Sequence, residues 1–125
     1  MLKNHSSSAI VAVSDLTRAR AFYSDTLGLE LVEEGGEESV LTYRTGATRL
    51  VVYQSAQAGT NRANAVVWGV GVDIDAIVAA LEAQGAAFEH YPDIGPLEGN
   101  VHRIGTAKLV WLKDPDGNFL HLNNL

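Results

Sequence analysis

The strongest constraint on this chain is that one order of elements is written into it twice: strand, capped helix, glycine, then three strands. Residues 9–13 are rich in β-formers and stop at Ser14-Asp15, a pair suited to a helix N-cap. Leu16, Ala19, Tyr23 and Leu27 follow at helical spacing, and Gly28 stands where a left-handed C-terminal cap belongs. Strands are expected at 29–32, 39–43 and 48–53, the last two around a tight turn at Thr45-Gly46-Ala47. Residues 33–38 carry four glutamates around Gly35-Gly36 and read as a solvated hairpin tip.

Residues 54–63 are small and polar, a linker or loop, and then the order restarts. A strand is expected at 66–72. Asp73 is read as the next N-cap, followed by an apolar face of Ile74, Ile77, Val78 and Leu81, with Gly85 at the helix end. A short strand at 86–91, a long irregular loop at 92–106, and strands at 108–112 and 119–122 complete the second pass. The last two are joined by Asp114-Pro115-Asp116-Gly117, a strong turn signal. Aligning Asp15 with Asp73 puts Leu16 on Ile74, Ala19 on Ile77 and Tyr23 on Leu81. The fold class is therefore α+β: two βαβββ modules, 1–58 and 64–125, in a single domain spanning residues 1–125.

Composition narrows the function classes. The 125 residues carry nine Lys+Arg against 15 Asp+Glu, a net charge of −6, which argues against a nucleic-acid partner. There is no cysteine, so disulfides, thiol nucleophiles and zinc ribbons are excluded together. The first eight residues are polar and lack the apolar core of a secretory signal. Apolar stretches such as 9–13 and 66–72 are far short of the roughly 20 residues a membrane span needs. A cytoplasmic protein with no membrane partner is expected.

Three stretches point to a family. They are Val13-Ser14-Asp15-Leu16 running to Ala21-Phe22-Tyr23 and Thr26-Leu27-Gly28-Leu29; Val72-Asp73-Ile74-Asp75 running to Leu81 and Gly85; and Trp111-Leu112-Lys113-Asp114-Pro115-Asp116-Gly117-Asn118. Together they resemble the vicinal oxygen chelate superfamily of glyoxalase I, bleomycin resistance proteins, fosfomycin resistance enzymes and extradiol dioxygenases. The resemblance implies a curled mixed sheet around a cavity in each module, with a helix on its outer face, and a homodimer that assembles the cavities. In catalytic members His and Glu side chains hold a divalent metal, which stabilises an enolate or oxyanion as a Lewis acid.

The matching metal positions can be checked in turn. The first-strand position, seven residues before Asp15, is Ser8. The last strand of the first module offers only Leu50, Val51 and Val52, and the first strand of the second offers Val66, Val67 and Trp68. The final position falls on His121. One ligand of changed type remains, so the resemblance implies a metal-free protein that binds a small molecule, with no cofactor. The alternative is a divalent-metal-dependent lyase, isomerase or dioxygenase with a non-standard centre using His121, which His102 could join. A third reading is a protein-interaction module whose cavity is vestigial.

The candidate ligand-binding residues are Ser8, Trp68, His102, Arg103, Trp111 and His121. Alternation puts Phe119, His121 and Asn123 on one face of the last strand and the two flanking leucines on the other. His121 is then a ligand contact, a general base or a weak metal candidate, against a half-buried histidine satisfied by a polar neighbour. It is the best candidate for any catalytic role. His102 and Arg103 sit in the long loop, where a lid contact competes with simple exposure. Trp68 is expected on the ligand-facing side of its strand, and Trp111 as pocket lining, against plain core packing for both. Tyr91 is a weaker candidate at the loop entrance. His5 and His90 read as surface residues, and Asp15, Asp73, Asp114 and Asp116 as caps and turn residues.

Overall fold

The computed structural model of the chain describes residues 1–35 and 40–125. The chain divides into two units, Met1–Asn61 and Arg62–Leu125.

The first unit contains β1 (Ala9–Val13), α1 (Leu16–Arg20), β2 (Glu30–Gly35), β3 (Val40–Thr45) and β4 (Thr48–Gln54). Its sheet runs β1-β4-β3-β2, with β1 parallel to β4 and the other pairs antiparallel. Asp15 caps α1 as expected: its carboxylate accepts the Arg18 amide at 3.0 Å. The helix then departs from expectation. Residues Ala21–Thr26 widen into a π-helical stretch, and the Leu27 amide donates to the Phe22 carbonyl at 2.9 Å. Gly28, at φ 69°, then turns the chain out of the helix.

Period-two alternation sorts this sheet into a buried and an open face. Val11, Val13, Leu41, Tyr43, Leu50 and Val52 are buried, as are Ala19, Phe22 and Tyr23 of the helical segment, and α1 lies against β3 and β4. Tyr23 meets Tyr43 at 6.0 Å between ring centroids and Phe22 edge-on at 5.0 Å. Ile10, on the opposite face, is 61% exposed. The expected acidic tip is corrected in part. Residues 33–35 belong to β2, and 36–39 lie outside the described residues.

The second unit contains β5 (Asn64–Gly69), α2 (Ile74–Ala83), β6 (Ala87–Glu89), β7 (Leu97–Glu98), β8 (Val101–Ile104), β9 (Ala107–Lys113) and β10 (Phe119–Asn123). β5 stops at Gly69, not at 72, because a 3-10 turn at Gly71–Asp73 leads into α2. Asp73 stands at the N-cap position, but its side chain makes no capping bond. The loop expected at 92–106 is corrected as well, since it holds the β7–β8 hairpin. Strands β6 and β8 both pair antiparallel with β9, β6 at residues 111–113 and β8 at 107–109. One edge strand of the plain repeat is thus split in two by an excursion at residues 90–100.

Here too one face is buried. Val110, Leu112, Leu120 and Leu122 are each no more than 6% exposed. Lys108 shares their phase on β9, and its ammonium meets the Asp75 carboxylate of α2 at 2.6 Å. That contact places α2, with its buried Ile74, Val78 and Leu81, on the leucine face. The β9–β10 turn is knit by Asp114, whose carboxylate accepts the amides of Asp116 and Asn118 and the Asn118 side chain. Among the described residues no helix is long and apolar enough to cross a membrane.

Candidate functional site

The open face of the second sheet is where chemistry-bearing side chains collect. Cross-strand register sets its rows. Val67, His121, Trp111 and Glu89 pair in sequence across β5, β10, β9 and β6. The next row is Gly69, Asn123, Leu109 and His102. The row on the other side carries Phe119 and Lys113, and the Lys113 ammonium sits 5.0 Å from the Phe119 ring and 3.1 Å from Glu89.

His121 is the centre of this face. Its ring stacks on Trp111 at 4.6 Å between centroids and 23° between planes. Nδ1 lies 3.0 Å from the Val110 carbonyl, and Nε2 lies 3.3 Å from Asn123 Nδ2. Burial disfavours its charged form and pulls its pKa below the ordinary histidine value, against a smaller upward pull from the Val110 carbonyl. The imidazole is therefore held neutral in the folded chain near pH 7.

The other candidates separate. His102 is fully buried. Its Nε2 accepts the Tyr91 amide at 2.8 Å, and its Nδ1 donates to the Leu109 carbonyl at 3.1 Å. Both nitrogens are spent on backbone, so His102 is a strut that ties the excursion to β9. Its ring stands edge-on to Trp111 at 5.0 Å, and Tyr91 also packs edge-on to Trp111 at 5.2 Å. Arg103 pairs with Lys108 and so faces the opposite side of the sheet, where its guanidinium meets Glu98 at 3.0 Å. Trp68 pairs with Leu122, which puts it on the leucine face and away from His121. Ser8 is exposed and precedes β1 in the first unit. The structure thus brings Trp111, His121 and, behind them, His102 together, and separates Arg103 and Trp68 from them.

Three residues outside the candidate set also take part. Asn123 shares the His121 face and contacts its ring. His90 donates to Asn100, which donates to Glu82, a chain that fixes the base of the excursion to α2. The exposed polar character of His90 and Asn100 gave no signal of this pairing, because the two lie on opposite ends of a loop.

A divalent metal fits this face poorly. The cross-strand neighbours of His121 are Val67 and Trp111, neither a ligand, and its Nδ1 is committed to a carbonyl. Among the described residues no group of three His, Cys, Asp or Glu is placed to hold an ion. Trp111 is itself only 8% exposed, so the accessible part of this row is Val67 and the half-buried His121, which offer an apolar surface and one hydrogen bond at Nε2.

Solved structures share this fold. One is TnmS3, an antibiotic binding protein from Streptomyces sp. CB03234, at TM-score 0.72 and 25% identity, covering 98% of this chain and 97% of that one. Another is the fosfomycin resistance protein FosX from Listeria monocytogenes, at TM-score 0.74 and 12% identity, covering 94% and 90%. A third is lactoylglutathione lyase from Agrobacterium tumefaciens, at TM-score 0.68 and 19% identity, covering 93% and 90%. The last two likenesses speak for the fold alone. The family model described as Glyoxalase/Bleomycin resistance protein/Dioxygenase superfamily matches residues 5–122, nearly the whole chain, and the protein belongs to that superfamily.

Proposed function

We propose that this protein binds a small molecule on the open face of its second sheet, without the divalent metal of the superfamily's enzymes, and works as a cytoplasmic homodimer. The observation that carries the reading is the stacked Trp111–His121 pair, with apolar Val67 beside it on β5 and the row's carboxylate, Glu89, held by the Lys113 ammonium at 3.1 Å. Binding sites combine apolar lining with a few placed polar groups, and the surroundings of His121 do so, with Val67, Trp111 and Leu109 beside Asn123. The 25% identity to an antibiotic binding protein over almost the full length supports the same class of role. Ser8, in place of a ligand at the first-strand position, supports it further.

The test is a thermal-shift screen of planar aromatic and cationic compounds, run with and without chelator on tag-free protein of measured metal content. The reading expects ligand stabilisation that chelator leaves unchanged. Stabilisation that appears only with a stoichiometric divalent ion would favour a metal centre built on His121. Light scattering of the purified protein tests the dimer, and a monomer at micromolar concentration overturns that part.

A further inference from the structure

The hydrogen bonds around His121 fix the polarity of what this face can hold. A carbonyl only accepts, so His121 Nδ1, 3.0 Å from the Val110 oxygen, carries the ring proton. The Leu125 amide donates to Asn123 Oδ1 at 3.1 Å, which turns Asn123 Nδ2 toward His121 Nε2 at 3.3 Å. Nε2 is therefore a lone pair. The chain runs one way, from the Leu125 amide through Asn123 and His121 to the Val110 carbonyl. Both its ends are backbone groups of fixed polarity, so it cannot be reversed. The other tautomer would set two donors together at Nε2 and two acceptors together at Nδ1.

The link from Asn123 to Nε2 is the longest of the three, so a better placed donor can take the lone pair. Space for one lies on the β5 side. There the cross-strand neighbour of His121 is Val67, which is 60% exposed, while Trp111 covers the β9 side. Resting on the ligand-binding reading above, we infer that this face selects a neutral aromatic molecule bearing a hydroxyl or N–H donor, which donates to His121 Nε2 while its ring covers Val67. A carboxylate presents only acceptors and meets the lone pair unfavourably. An ether of the same ring loses the bond.

The probes are 2-naphthol, 2-methoxynaphthalene and 2-naphthoate, titrated near pH 7.5 by calorimetry and by NMR of the histidine ring nitrogens and indole groups. A net hydrogen bond of about 1 kcal/mol makes naphthol bind about fivefold tighter than its methyl ether. Naphthoate is expected to bind weakest. His121→Phe should bring naphthol down to the level of the ether. In the unliganded protein the ring spectrum should show the Nδ1–H tautomer, a readout that needs no variant. An Nε2–H tautomer, or equal affinities with shifts still centred on Trp111 and His121, overturns the donor rule and leaves the site standing. Absence of shifts at both residues with all three probes overturns the site and the rule together.

Discussion

Replacing His102 with leucine should cost stability before it costs anything else. Leucine keeps the approximate bulk of the imidazole but has no polar atoms. The Tyr91 amide then loses its 2.8 Å acceptor inside the fold, and the Leu109 carbonyl loses a 3.1 Å donor. Stranding a buried amide costs about 1–3 kcal/mol, and the carbonyl, which can hold a second partner, costs about 1 kcal/mol. The edge-on packing on Trp111 adds about 0.5–1.5 kcal/mol. The sum is about 3–5 kcal/mol, a large share of the roughly 5–15 kcal/mol that stabilises a domain. At about 4 °C per kcal/mol for a chain of this size, Tm should fall by roughly 10–20 °C. Urea unfolding followed by fluorescence, with the m-value held constant, measures the change. A variant that loses under about 1 kcal/mol while losing ligand binding tenfold would refute the strut and return His102 to the ligand contacts.

Three further outcomes follow from the same geometry. Because the folded pKa of His121 lies below 6.5, the unfolded chain binds more protons just below pH 6.5, so stability is highest above that value and declines as pH falls toward the folded pKa. Denaturation curves across this window should show the decline in the wild type and a smaller one in His121→Asn; an equal decline in both assigns it elsewhere. Gly95→Ala would bring a methyl within 2.5 Å of the Arg103 carbonyl, forcing the excursion off β8 at a cost of about 1–3 kcal/mol, readable as faster amide exchange at residues 95–104. Asp114→Ala removes three hydrogen bonds at 2.7–3.0 Å from a buried turn and should cost about 2–4 kcal/mol in thermal unfolding.

Local chemistry made much of this fold legible. The Asp15 cap, the glycine after each helix, and the alternation around Leu120-His121-Leu122 each rest on near neighbours, and the structure has all three. What the sequence hid depends on register between distant segments. Trp68 was placed by the phase of its own strand, but pairing with Leu122, and a register shift beside Phe119, put it on the helix side. The β7–β8 hairpin was masked by Gly95, Pro96 and Gly99, which read as loop, and its strands are two and four residues long. Arg103 looked like a loop residue free to reach a ligand, whereas its place beside Lys108 gives it Glu98 instead. The role of His102 could not be read because its partners are backbone groups, the Tyr91 amide and the Leu109 carbonyl, whose direction no side-chain pattern reveals.

The central claim is metal-free ligand binding on the Trp111–His121 face. An amide and indole NMR titration with 2-naphthol in excess chelator tests it most directly, with Trp68→Phe separating the two indoles. The account predicts saturable shifts gathered on Val67, Trp111, His121 and Asn123, unchanged when the chelator is replaced by added zinc or manganese. Shifts that need an added divalent ion, or that gather around Trp68 and α2 instead, would contradict it.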